Sequence, residues 1–209
     1  VWGTNSYGSL GDGTTTTRLS PSSPAFDSSN DFVGIKTEAD GSIRDGVIMS
    51  TYYNMGIIGN NGHLYMWGQN GYGQVGDGTS TNRTIPYDAT ADTNNSINGK
   101  EAHQIAQGIT AQNYDSTIVL CTDGTAHGTG YNGYGQLGNS SQTSATNFGA
   151  VNQTALKFWK IFQAGDRYAS YIGLGAVYGD SLTDGTTVGS GTNILTQTPT
   201  YFRVYFWGY

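Results

Sequence analysis

The sequence predicts an all-β protein assembled from about three copies of one module. Three observations carry the prediction. A glycine-rich stretch of fixed internal pattern recurs along the chain. The segments between its copies alternate short apolar runs with Asn-Gly or Asp-Gly turns. No window combines sustained helical periodicity with capping residues, and glycines interrupt most candidate windows. Self-similarity at a long period decides the architecture before any local reading does.

The recurring stretch is clearest at Trp67–Gly78, WGQNGYGQVGDG. It appears as WGTNSYGSLGDG at Trp2–Gly13 and as TGYNGYGQLGNS at Thr129–Ser140, where Thr129 stands in place of tryptophan. Every copy keeps an Asn, a Tyr-Gly pair, an aliphatic residue and a Gly at one spacing. Upstream, the second and third copies register without a gap at a shift of 62 residues. Ile43 then falls on Ile105, Gly46 on Gly108, Tyr52 on Tyr114, and Asn61-Gly62 on Asp123-Gly124. A further copy starts at Phe162, matching Gly165 to Gly108, Tyr168 to Tyr114 and Ser170 to Ser116, and wears down over Asp180–Thr187. Trp207-Gly208 then restores the start of the motif. The modules are therefore roughly 1–67, 68–129 and 130–209 of one repeat-built region. Since the chain enters and leaves inside a repeat and lacks an initiator Met, it is expected to be an internal or processed piece of a longer polypeptide.

Each module reads as strands. Asn61-Gly62 and Asp123-Gly124 are two-residue hairpin signals. Their flanks, MGII with HLYMW and STIVL with TAHGTG, carry β-branched and aromatic residues. Ala155–Gln163, ALKFWKIFQ, has an ambiguous period, but its place before Ala-Gly predicts a strand. The Ser/Thr/Asn/Pro-rich segments Ser20–Asp31, Asp88–Asn98 and Gly138–Asn147 read as loops between modules, where repeat proteins concentrate function.

Composition narrows the function class. Charged residues are 11 % of the chain, about half the usual share, and the polar surface falls to Asn, Ser, Thr, Gln and 15 tyrosines. That balance suits proteins outside cells or in virus particles. Net charge is −6, and the nine Lys and Arg are scattered, so no basic stripe exists to neutralise phosphates. No apolar run approaches the ~18 residues a membrane helix needs.

Catalytic and metal signatures are weak. His63, His103 and His127 occupy unrelated positions with no second ligand at zinc spacing. No Ser-His-Asp or Cys-His pattern is evident. Asp12 and Asp77 in the paired GDGT could ligate calcium, but Asp-Gly turn formation explains them and the third copy has Asn139. Cys121, in STIVLC, reads as a small buried hydrophobe. The glycines resemble a phosphate cradle, yet no lysine and no helix follow them. Tyr7, Tyr72 and Tyr134 repeat at one place in the motif. They read either as packing at a module corner or as flat apolar faces with polar tips offered to a sugar or protein.

The pattern of strand, Asn-Gly or Asp-Gly turn, strand and Trp-Gly-x-Asn-x-x-Gly-Gln-Leu-Gly resembles the repeat of the regulator of chromosome condensation family. The likeness covers most of 1–138 and part of 139–209; Ser9 departs from it where Gln is usual. It implies a β-propeller with one four-stranded blade per repeat, here about three blades of a partial or open ring. Trp2, Trp67 and Trp207 would then pack between blades. The expected function is a non-enzymatic, surface-exposed binding or structural module. It would sit in a phage tail, virion fibre or microbial surface protein, contact a glycan or protein through its loops, need no cofactor, and assemble in a larger oligomer. The family implies an alternative, a regulator promoting nucleotide exchange on a small GTPase, and the fold permits a secreted protein inhibitor.

Overall fold

The computed structural model describes residues 1–26, 32–107, 115–152, 157–164, 170–177 and 201–207. Three antiparallel sheets follow one another along the chain. The first blade is β1 (Ile48–Ser50), β2 (Asn54–Ile58), β3 (Leu64–Gly68) and β4 (Arg83–Asp88), in that spatial order. The second is β5 (Ala102–Gln107), β6 (Ser116–Cys121), β7 (Ala126–Gly130) and β8 (Ala145–Ala150). The third holds β9 (Phe158–Ala164), β10 (Ser170–Val177) and β11 (Tyr201–Trp207). Ahead of them, Gly3 bridges Arg18, so residues 1–26 carry a motif of their own against the first blade. No helix occurs among the described residues, and Phe158–Ala164 is a strand as expected.

Why these segments form strands is visible in β6. Its run STIVLC is buried throughout, yet its side chains go alternately to two cores. Val119 and Cys121 join Val47, Leu64, Met66 and Phe148 between the first and second blades. Ile118 and Leu120 join Leu137, Phe158 and Ile161 between the second and third. A period of two thus turns one continuous apolar run into two interfaces. A third core sets Tyr65 and Trp67 against Phe26 and Phe32. No blade hides its faces alone; the neighbours do it.

Several details differ from the sequence reading. Asn61-Gly62 is not a two-residue turn. The Gly62 amide donates to the Gly59 carbonyl, and Gly62 alone takes positive φ (79°). That places Asn60 and Asn61 at the centre and Gly62 in a bulge; Gly124 (φ 76°) does the same after Thr122-Asp123. The gapless 62-residue register also fails on the innermost strand. Ile48 pairs with Ile57 and Ile105 with Val119, so Ile48, not Ile43, is the counterpart of Ile105. Instead, the chain before β1 makes a small hairpin, with Thr37 bridged to Ile43 and Ile35 to Gly59. Gly138–Asn147 is not an inter-blade loop, because it joins β7 to β8 within one blade. Asp88–Asn98 does lie between blades. The repeat counted from tryptophan to tryptophan is offset from the sheets, since Trp67 sits within β3. Gly108, Tyr114, Gly165, Tyr168, Asp180–Thr187, Gly208 and the end of Ser20–Asp31 lie outside the described residues.

Candidate functional site

The glycine motif is the link between the third and fourth strands, and one asparagine organises each copy. Asn5, Asn70 and Asn132 are fully buried. The Oδ1 of each accepts the backbone N–H of Leu10, Val75 and Leu137, at 2.9, 2.9 and 2.8 Å. The Nδ2 of each donates to a side chain seven residues on, Asp12, Asp77 or Asn139. Asp12 and Asp77 in turn pair with Arg18 and Arg83. In the third copy Asn139 replaces the aspartate and Ala145 replaces the arginine, so the charge and its partner leave together. Hydrogen bonds from Thr14 and Arg18 hold the Asp12 carboxyl at about 2. Burial pushes Asp77 up, but Arg83, Thr79 and Asn70 outweigh it and hold it low. These carboxylates are engaged in holding the turn. Among the described residues no group of three or more His, Cys, Asp or Glu could hold a metal.

The motif also seats each blade on the next. A β-carbon on Gly11 would lie 2.6 Å from Trp67 Nε1, and Gly11 has φ +67°, so only glycine fits. The Trp67 indole donates to the Ser9 carbonyl at 2.9 Å. At the next interface Gly76 meets the Phe148 ring instead, and Thr129 Oγ1 donates to the Gly73 carbonyl at 2.8 Å. The matching glycine of the third copy, Gly138, meets Trp207. Trp67 and Trp207 thus pack between blades as the resemblance implies. Trp2 is 66 % exposed.

Fixing the motif fixes its tyrosines, all at the end of the blades where β1 turns into β2 and β3 leads into β4. Tyr7 packs on Tyr53, with ring centroids 4.4 Å apart, and Tyr53 meets Tyr52 edge-on at 4.8 Å. Tyr72 meets Tyr131 at 5.1 Å, and Tyr131 lies 6.1 Å from Tyr134. Tyr7 and Tyr72 are half-buried, Tyr134 is 37 % exposed and Tyr52 78 %. Tyr52 stands out in the sequence only as a register match of Tyr114, and Tyr53 and Tyr131 not at all; all three lie outside the motif's repeated Tyr-Gly position.

The two tyrosine clusters differ in one respect. Gln74 and Gln136 are fully buried, and their Oε1 atoms accept the N–H of Tyr72 and Tyr134 at 2.8 and 2.9 Å. The first copy has Ser9 there, too short to reach back. A cleft of about 520 Å³ opens at that motif, lined by Thr4, Ser6, Tyr7, Ser9, Tyr52 and Tyr53. A second of about 310 Å³ shares Thr4, Ser9 and Tyr52 and reaches Trp2.

The histidines remain apart. His63 Nδ1 lies 2.6 Å from Asp88. Folding does bring a serine to a histidine: Ser96 Oγ sits 2.7 Å from His127 Nδ1, and Thr125 Oγ1 is 2.8 Å from Nε2 while donating to Asp123. This chain of bonds ties the loop after β4 to β7. Burial, with Lys100 beside it, pushes His127 down to about 4. Cys121 is fully buried, and burial pushes its thiol up to about 12.

Residues 61–108, from the first hairpin through the motif and β4 into β5, match the regulator of chromosome condensation (RCC1) repeat. The Arabidopsis thaliana ultraviolet-B receptor UVR8 is 28 % identical over 137 residues, covering 66 % of this chain and 26 % of the receptor. Human WBSCR16 superposes with a TM-score of 0.58 at 17 % identity, covering 87 % of this chain and 44 % of its own. Saccharomyces cerevisiae Prp20p gives 0.57 at 16 %, covering 86 % and 40 %. The chain thus spans about a quarter of the curated relative and under half of each solved structure. The blade order, the motif contacts and these likenesses make the described sheets a stretch of β-propeller of the chromosome-condensation-regulator type.

Proposed function

We propose that the chain is a non-enzymatic binding module that holds a protein partner against the tyrosine-lined end of its blades. The observation that carries this is the cleft at the first motif, where Tyr7 and Tyr53 meet in a tilted ring contact and Tyr52 stands exposed beside Ser9. Tyrosine combines rigid apolar area with a polar tip at low entropic cost, which makes it a frequent anchor at protein interfaces. Prp20p, alike in fold, is a protein whose binding properties to Gsp1p and histones are described. The low charge and the polar, uncharged surface favour a setting outside cells or on a virion, with the partner on a cell or particle surface.

The experiment is a crosslinking pull-down from host-surface extract with the wild type, Tyr52→Ala and Ser9→Gln. A protein retained by the wild type and lost with both variants supports the reading. Equal retention by all three overturns it. Retention of glycans alone on an array, or accelerated nucleotide exchange on a GTPase with no dependence on Tyr52, replaces it.

A further inference from the structure

The innermost strands β1, β5 and β9 lie side by side, and the tyrosines sit where β1 ends. At the opposite end, where these strands begin, lies a polar cleft of about 210 Å³. It is lined by Glu38, Arg44, Asp45, His103, Gln104, Trp159 and Lys160. The hairpin of 35–43, which interrupts the repeat register, supplies one wall. Lys36 ties that hairpin to the second blade through Glu101 at 2.9 Å.

We propose that this cleft binds a single sugar residue. Part of its polar lining is engaged within the protein, and part is left to meet a ligand. Arg44 Nε donates to Glu38 at 2.9 Å, and Arg44 Nη1 lies 3.1 Å from His103 Nδ1. A guanidinium only donates, so His103 Nδ1 accepts and its proton sits on Nε2, which remains a donor. Burial, then the neighbouring Arg44 charge, lowers His103 to about 4, so the ring is neutral at physiological pH. Asp45 and Lys160 form no ion pair among the described residues, and the Lys160 ammonium stands 5.7 Å from the Trp159 ring centroid. Gln104 is occupied, bonding the Ile161 N–H and carbonyl.

The lining chooses the ligand class. Two carboxylates face one guanidinium and one ammonium, so the formal charges cancel and a simple anion would meet Glu38 and Asp45 as repulsion. A neutral polyol uses both kinds of group, since each hydroxyl both donates and accepts. The half-buried indole of Trp159 adds apolar surface to this polar lining, the mixed character a sugar ring presents. The volume is below the ~300–1,000 Å³ of drug-sized sites, which fits one ring rather than an extended ligand.

The test is titration of the purified protein with methyl pyranosides of glucose, galactose, mannose and N-acetylglucosamine. Saturation-transfer NMR and tryptophan fluorescence report binding. At least one should bind saturably with Kd in the ~mM range. Asp45→Ala should weaken it at least ~tenfold, by analogy with other lost charge-assisted contacts, while its urea midpoint stays unchanged, because Asp45 is exposed and forms no ion pair among the described residues. Tyr52→Ala should leave sugar binding intact, which separates this site from the partner-binding end. The proposal falls if no pyranoside saturates, if Asp45→Ala binds as the wild type does, or if glycine or inorganic phosphate saturates the cleft in place of every sugar.

Discussion

Trp67 and Pro86 in the first blade occupy the places of Thr129 and Phe148 in the second. The pairings Gly68↔Arg83 and Gly130↔Ala145 fix that equivalence. Large and small residues have exchanged strands while the same space over the motif glycine stays filled. Trp67→Thr should therefore cost about 3–5 kcal/mol, the usual penalty for truncating a fully buried tryptophan. The Ser9 carbonyl also loses its indole donor, worth about 1 kcal/mol. Pro86→Phe alone forces a ring into occupied space and should cost about 1–3 kcal/mol. Together, the two changes rebuild the Thr-Phe arrangement. The double variant should then be more stable than the sum of the singles by about 2 kcal/mol, within the range of contacting pairs. Urea unfolding of the four proteins, followed by circular dichroism, measures that coupling. If the effects add to within ~0.5 kcal/mol, the two interfaces are not alternative solutions of one packing problem.

Three further outcomes follow from the same geometry. Arg83→Ala removes the cation of the buried Asp77 carboxylate, to which Asn70 and Thr79 still donate, and should destabilise by about 1.5–3 kcal/mol; adding Asp77→Asn, which copies Asn139 with Ala145, should recover most of it in thermal melts. His103 and His127 titrate near 4 when folded against ~6.5 unfolded, so the unfolded chain binds protons first and stability falls as pH drops from about 6.5 through 4. Asp12 and Asp123, both near 2, add a second loss below about 3.8, and His127→Gln should flatten only the first step in urea midpoints. Ser9→Gln should give the first motif the tyrosine-holding contact of Gln74, fill its cleft, and change stability by no more than ~1 kcal/mol in the same unfolding assay.

The fold was legible because its signals are local. The short apolar runs MGII and STIVL, the glycines of the hairpins, and the fixed spacing of Asn, Tyr-Gly and Gly in the motif each act within one blade. What escaped the sequence depends on which strands pair within a blade and on how the blades stack. The register of β1 was misread because Ile43 and Ile48 are equally good apolar matches for Ile105, and only pairing with Ile57 decides between them. Gly138–Asn147 has the composition of a loop between modules, but its end is β8, an edge strand of the kind that tolerates polar residues. At the candidate site, Tyr7, Tyr72 and Tyr134 stand out by repetition. Their partners Tyr53 and Tyr131 do not, since they sit at unlike positions and meet the motif only after the blades stack.

The departures between copies fall into two kinds, and the difference bears on function. Some occur in pairs: Asp and Arg become Asn and Ala, and Trp and Pro become Thr and Phe. Such pairs preserve a contact, because losing one partner alone would leave a buried charge or a void. Others stand alone. Ser9 replaces glutamine without a compensating residue, and the hairpin of 35–43 has no counterpart ahead of β5. At each of these two places an open cleft is found, and the two lie at opposite ends of the blades. Packing economy explains the paired changes completely. It leaves the solitary ones without a structural reason, which is why the binding proposals rest on Ser9 with its tyrosines and on Arg44, Asp45 and His103 rather than on the repeated motif.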